Sequence, residues 1–201
     1  MRHQCLAVVL LALVPHTARA QSAGDNVEIG GHVAVVRSSE FDATDTGVGV
    51  RAAWRATPWA GVEAEFTVFP GDFADERAPF SGSRVEGLFG ATVGPRLGRL
   101  RPFARVRPGF LTFRAPSEPI ACILIFPPPV ACTLGTGAMQ FALDIGGGVE
   151  VSLTDRTLLR IDVGDRAVRY SGPAFDRNGE AHEDAFFGHD LRITVGAGVV
   201  F

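Results

Sequence analysis

The sequence predicts an all-β protein: an eight-stranded antiparallel transmembrane β-barrel in up-and-down meander order. Three observations predict it. Apolar residues recur at every second position through eight segments, most of them about ten residues long, the length a tilted strand needs to cross a bilayer. The connections between these segments alternate short and long. A leader for export stands ahead of them all.

The leader has a basic start at Arg2 and His3, an apolar run from Leu6 to Val14, and Pro15 to end it. Ala18-Arg19-Ala20 then supplies the small-x-small cleavage pattern. The run is too short to span a bilayer as a helix, so residues 1–20 read as a cleaved signal peptide rather than an anchor, and 21–201 as the barrel domain. Cys5 precedes the apolar run, where a lipid-attachment cysteine would have to follow it. Cleavage leaves Cys122 and Cys132, an even pair in an exported chain, which reads as a disulfide. The full chain holds 19 basic and 22 acidic residues; two arginines and no acid leave with the leader, so the mature charge is about −5. That balance offers nucleic acid no electrostatic footing. Every basic side chain other than histidine is Arg.

The alternation runs as follows. The first segment sets Val27, Ile29, Val33 and Val35 against Glu28, Gly30 and His32, and the second sets Val48, Val50, Ala52 and Trp54 against Gly47, Gly49, Arg51, Ala53 and Arg55. The third sets Val62, Ala64, Phe66 and Val68 against Gly61, Glu63, Glu65 and Thr67. The fourth sets Val85, Gly87, Phe89, Ala91 and Val93 against Arg84, Glu86, Gly90, Thr92 and Gly94. In the fifth, Ala104, Val106 and Phe110 oppose Arg105, Arg107 and Gly109; Pro108 cannot donate to a ladder, so a bulge or an early end is expected there. In the sixth, Phe141, Leu143, Ile145, Val149 and Val151 oppose Asp144, Gly146, Gly148, Glu150 and Ser152. The seventh, Thr157 to Asp165, sets Leu159, Ile161 and Val163 against Arg160, Asp162 and Gly164. The last, His189 to Phe201, sets Leu191, Ile193, Val195, Ala197, Val199 and Phe201 against Asp190, Arg192, Thr194, Gly196 and Gly198. Long connections are expected at 70–82, 114–137 and 166–188, a medium one at 37–45, and tight turns elsewhere. With an even strand number, both termini fall at the short-turn end.

Mean hydropathy is positive, +0.18, yet the mature chain has no long apolar run. A soluble lipocalin-type barrel shares the alternation but turns its apolar face inward. Four features favour lipid outside. The polar face is rich in glycine, which weakens strands and is suited to a crowded lumen. It carries both charge signs: Arg51, Arg55, Arg84, Arg105, Arg107, Arg160 and Arg192 against Glu63, Glu65, Glu86, Asp144, Glu150, Asp162 and Asp190. All of these but Arg55 and Asp190 form the candidate lumen cluster. Aromatics near segment ends (Trp54, Trp59, Phe69, Phe113, Phe141, Phe201) suit girdles at the two interfaces. No apolar-face position above is charged, as a bilayer demands.

Three stretches carry the resemblance to a known family: Gly146-Gly147-Gly148-Val149-Glu150-Val151, then Leu153-Thr154-Asp155-Arg156, then Leu159 to Asp165. With the alternating strand His189 to Phe201, they make the chain similar to the outer-membrane β-barrel family of the OmpA transmembrane domain and OmpX. In contrast to OmpA, a peptidoglycan-binding domain is not expected after the barrel. The resemblance implies residence in the cell outer membrane of a Gram-negative bacterium. It also implies that the terminal Phe201 is the signal read by the barrel-insertion machinery.

Function is less determined, because the family is mixed. The charged lumen reads as a self-satisfied plug or, alternatively, a narrow pore for small solutes or ions; eight strands leave an interior just wide enough for side chains. The Cys122–Cys132 loop encloses Ile123 to Val130, an apolar tip fit either to cap the barrel or to touch lipid or an extracellular ligand. Asp176, Asn178, Glu180, His182, Glu183, Asp184, His189 and Asp190 are oxygen-rich and include two histidines, but their spacing matches no metal loop, so no metal or other cofactor is expected. His182, His189, Ser171 and Glu183 are the residues a lipid-modifying enzyme would draw on; no motif surrounds them, and the expectation is a non-enzymatic barrel acting through its loops.

Overall fold

The computed structural model describes residues 26–39, 43–71, 83–113, 119–124, 130–134, 138–170, 174–175, 181–182 and 184–201. The leader and most of the long connections lie outside these. Among the described residues there are twelve strands: β1 Val27–Ser38, β2 Thr44–Trp54, β3 Ala60–Phe69, β4 Arg84–Val93, β5 Leu100–Phe113, β6 Pro119–Leu124, β7 Val130–Leu134, β8 Ala138–Ser152, β9 Thr157–Tyr170, β10 Ala174–Phe175, β11 Ala181–His182 and β12 Phe186–Val200. Eight of them close a barrel in the order β1-β12-β9-β8-β5-β4-β3-β2, every pairing antiparallel. The predicted eight-stranded meander is the observed fold. The other four make two hairpins, β6-β7 and β10-β11, within the long connections.

Closure is made by β1 against β12, from Glu28 opposite Val200 to Ser38 opposite Asp190. It ends in a reciprocal backbone pair: Val27 N–H donates to the Phe201 carbonyl at 3.3 Å, and Phe201 N–H to the Val27 carbonyl at 2.8 Å. Val27 and Phe201 therefore sit at the end of the short turns. One of these turns joins β4 to β5, where Leu97 and Leu100 exchange hydrogen bonds and Gly98 adopts φ +66°, a conformation that suits glycine.

Alternation sets the two faces. Along β1, Ile29 and Val33 are exposed while Glu28, His32 and Ala34 are buried, and β9 and β12 repeat the pattern to their ends. The outer face is apolar along the middle of every barrel strand. Inside, the short-turn half is charged, and in the loop-end half two apolar clusters stand beside buried charges: Leu88, Leu111, Phe113, Ala142, Val168 and Tyr170 form one cluster, and Ala34, Val36 and Phe69 a second. Tyr170 stacks on Phe186 with ring centres 5.4 Å apart.

Four expectations need correction. The seventh strand does not end at Asp165; β9 runs to Tyr170 and β12 starts at Phe186, because Arg166, Val168 and Tyr170 keep the inward parity of Arg160 and Asp162 and are buried there. Pro108 makes neither a bulge nor an early end. Register is unchanged across it on both sides, and the ladder to β4 merely omits the two pairs at Phe89 and Gly90. Phe69 and Phe113 are not girdle residues: they share parity with Thr67 and Leu111 and are 1% and 2% exposed, inside the barrel. Nor is the outer face free of charge, since Asp165 lies on it in the extended β9.

Candidate functional site

The interior is the most elaborate chemical feature of the molecule. Eight arginines (51, 84, 101, 105, 107, 160, 166 and 192) and eight carboxylates (Glu28, Glu63, Glu65, Glu86, Asp144, Glu150, Asp162 and Asp190) are buried among the described residues. Equal numbers matter because a desolvated charge without a partner costs several kcal/mol. The twelve residues of the candidate lumen cluster (Arg51, Glu63, Glu65, Arg84, Glu86, Arg105, Arg107, Asp144, Glu150, Arg160, Asp162 and Arg192) all lie in this buried set.

At mid-height, Asp144 on β8 accepts from Arg105 Nε at 2.7 Å and from Arg107 Nε and Nη2 at 3.0 and 2.9 Å. Arg107 also donates to Glu63 at 3.1 Å and Glu65 at 2.8 Å, across the lumen on β3. Arg105 bonds Asp162, which takes a second bond from Arg160 Nε at 2.8 Å. Arg160 reaches Glu63 at 2.6 Å, and its guanidinium lies 4.0 Å from the centre of the Phe103 ring. The ring thereby covers a cation face that no carboxylate can occupy.

The network continues in both directions. Toward the termini, Glu150 contacts Arg160 at 3.4 Å, Arg101 at 3.0 Å and Arg55 at 3.2 Å, and Arg55 joins Glu28, which also holds Arg51. Toward the loops, Glu65 bonds Arg192, Arg192 lies 3.0 Å from Glu86, and Glu86 bonds Arg166, which holds Asp190 at 2.6 Å. An unbroken chain of contacts thus runs from Glu28 to Asp190. Arg84 pairs with Asp45 at the loop end. His32 joins the wall, its Nε2 2.9 Å from Thr67 Oγ1 and 3.5 Å from Glu65. Gly49 makes room for it, since a Cβ there would fall 2.6 Å from that nitrogen.

Glu28, Arg101 and Arg166 belong to this network but not to the sequence-derived cluster. Glu28 stood on the polar face uncounted, and Arg101 and Arg166 were assigned to connections. Extending strand parity by a few residues would have found both arginines. Of the enzyme and metal candidates, His189 is exposed on the outer face with Nδ1 2.8 Å from Asp165 Oδ2, whereas Asp190 points inward to Arg166. Those two therefore do not share a site. The side chains of Ser171, Asp176, Asn178, Glu180, His182 and Glu183 lie outside the described residues. No group of three His, Cys, Asp or Glu suited to a metal occurs among the described ones. Cys122 and Cys132 are backbone register partners in the β6-β7 pairing.

The sequence matches no family model and no curated protein. Among solved structures, the fold is similar to Neisserial surface protein A (NspA), with a TM-score of 0.52 and 13% identity over 87% of this chain and 97% of that one. It is likewise similar to the N-terminal β-barrel domain of Pseudomonas aeruginosa OprF, with a TM-score of 0.52 and 10% identity over 89% and 99%. At such identities the likeness shows the fold alone: the small eight-stranded barrel of the outer-membrane type.

Proposed function

We propose that the chain is an integral outer-membrane β-barrel, exported with a cleaved signal peptide, closed to ions, and acting as a structural or surface-binding protein through its extracellular loops. The reading is non-enzymatic. One observation carries it: the barrel is inside out relative to a soluble one, with valine, isoleucine, leucine and phenylalanine outward and the charges inward. Lipid is the solvent for which that polarity is stable. Exposed aromatics at the two ends support the reading, with Trp54, Trp59 and Phe201 at the short-turn end and Phe141 and Phe187 at the other.

The network argues for a plug over a pore. Arg107, Asp144 and Arg192 are each 0% exposed at the middle of the lumen. Opening a path would separate buried ion pairs, at about 3–5 kcal/mol for each broken partnership. The partners this reading implies are outer-membrane lipid, the barrel-insertion machinery during assembly, and a ligand at the loops.

The two tryptophans, both exposed, provide the test. In vesicles of lipid brominated on its acyl chains, their fluorescence should be strongly quenched. Unquenched emission, or a chain that stays in solution beside the vesicles, refutes the membrane reading.

A further inference from the structure

The short turns form a continuous rim at one end of the barrel. The Trp59 carbonyl, in the β2-β3 turn, accepts from Gly94 N–H at 2.7 Å, which sets Trp59 beside the β4-β5 turn. On the far side of that turn, the Arg99 carbonyl accepts from Ser152 N–H at 2.8 Å, and Arg96 Nη2 donates to Ser152 Oγ at 3.5 Å, so the β8-β9 turn is tied to it. The Arg156 carbonyl accepts from Val200 N–H at 2.8 Å and joins the rim to the end of β12.

This rim is basic in an acidic chain. Arg96, Arg99 and Arg156 are exposed on it, and among the described residues Asp155 is the one exposed carboxylate side chain there. The mature chain as a whole carries about −5. The guanidiniums of Arg99 and Arg156 have no hydrogen bond or ion pair to any described residue. Behind them, in the mouth of the lumen, Arg51, Arg55 and Arg101 share the two carboxylates Glu28 and Glu150, so the interior at this end has no surplus negative charge to offer the rim.

The rim is also apolar. Leu97, Leu100 and Leu153 are exposed beside the arginines, and Trp54 and Trp59 are exposed at the same end. Cations interleaved with leucine and tryptophan suit the boundary of a lipid leaflet, where guanidiniums meet phosphate and apolar side chains meet the first methylenes. A carbohydrate polymer would leave those leucines in water. We propose that this rim binds the headgroups of anionic phospholipid in the leaflet on the short-turn side, with Arg99 and Arg156 donating to phosphate while Trp59, Leu97 and Leu153 rest among the chains. The proposal rests on the outer-membrane reading above.

Both tryptophans of the chain stand at this end, so their quenching reports the lipid beside it. The test places the folded mature protein in vesicles of phosphatidylcholine with a minor share of phosphatidylglycerol, the acyl-chain bromine being on one lipid or on the other. Brominated phosphatidylglycerol should quench wild type beyond its share of the bilayer, an enrichment of about fivefold for each arginine engaged. Arg99→Gln/Arg156→Gln should abolish the enrichment, and Arg99→Lys/Arg156→Lys should keep it. Arg169→Gln, at the opposite end, should match wild type. A heat-dependent gel shift confirms that each variant is folded. Quenching of wild type in proportion to composition, or an enrichment unchanged in the double glutamine variant, overturns the proposal. Loss of the enrichment on adding inorganic phosphate at constant ionic strength assigns the rim to free phosphate and overturns the lipid source. Retention on isolated peptidoglycan that the double glutamine variant loses, without lipid enrichment, assigns the rim to that polymer and overturns the proposal. Proportional quenching by both lipids refutes this site alone; quenching by neither refutes the membrane reading as well.

Discussion

Arg107 and Asp144 are directly opposite each other on β5 and β8, and the guanidinium Nε and Nη2 both point at one carboxylate oxygen, 3.0 and 2.9 Å away. Neither residue has any exposed surface. The same carboxylate serves Arg105, so Asp144 is the junction of the mid-lumen network.

Asp144→Asn keeps the shape of that junction and removes its charge. Two buried guanidiniums would then share fewer counter-charges, and breaking such partnerships costs about 3–5 kcal/mol. The variant should unfold at clearly lower urea concentration than wild type when followed by the gel shift of the folded barrel. Asp155→Asn, in an exposed turn, should leave the midpoint unchanged.

The outer face supplies the opposite test. Ile161 is 59% exposed at the middle of the outward apolar run Leu159, Ile161 and Val163 of β9, between Val149 and Val195. In water, Ile161→Arg on such a surface would be nearly neutral. In a bilayer it should destabilise by about 2–4 kcal/mol. Unfolding equilibria in lipid vesicles should show the loss; an unchanged midpoint would mean that this face does not meet hydrocarbon.

Cys122 and Cys132 occupy opposite positions in a hairpin separate from the barrel sheet. The oxidised mature protein should show no thiol reactive to alkylation after denaturation, and two after reduction. Because β6 and β7 pair only with each other, reduction should leave the heat-modifiable gel shift of the barrel intact. A free thiol pair in protein taken from the cell envelope would contradict the bridge.

Phe201 closes the barrel through its backbone while its ring stays outward, 60% exposed. Phe201→Ala should therefore fold in vitro with a gel shift near that of wild type. In cells its level in the outer membrane should fall several-fold, as expected if the ring is read during insertion. Equal accumulation would remove that role.

Strand number and order were legible because a strand reports its two faces through a period of two. The lumen charges were legible for the same reason: Arg105, Arg107, Asp144 and Asp162 stand at inward parity between apolar neighbours. What was missed lies at the ends of strands, where parity continues but composition changes. Arg166-Ala167-Val168-Arg169-Tyr170 places apolar residues inward and an arginine outward, the reverse of the preceding residues, so it read as a connection. Phe69 and Phe113 were given to the girdle by residue type, when parity alone placed them inside. The partners that cross the lumen were not legible, because Arg107 with Glu63 and Arg192 with Glu65 meet between strands that are not neighbours.

Single-channel recording on the folded mature chain in planar bilayers tests the account most directly. The gel shift should first show the barrel folded. The interior described above, with Arg107, Asp144 and Arg192 sealed from solvent and a layer of Leu88, Leu111, Phe113 and Tyr170 toward the loops, predicts silence at moderate voltage. Steady, ion-selective openings altered by Arg105→Gln or Glu63→Gln would contradict it, and would make the charged lumen a pathway rather than a plug.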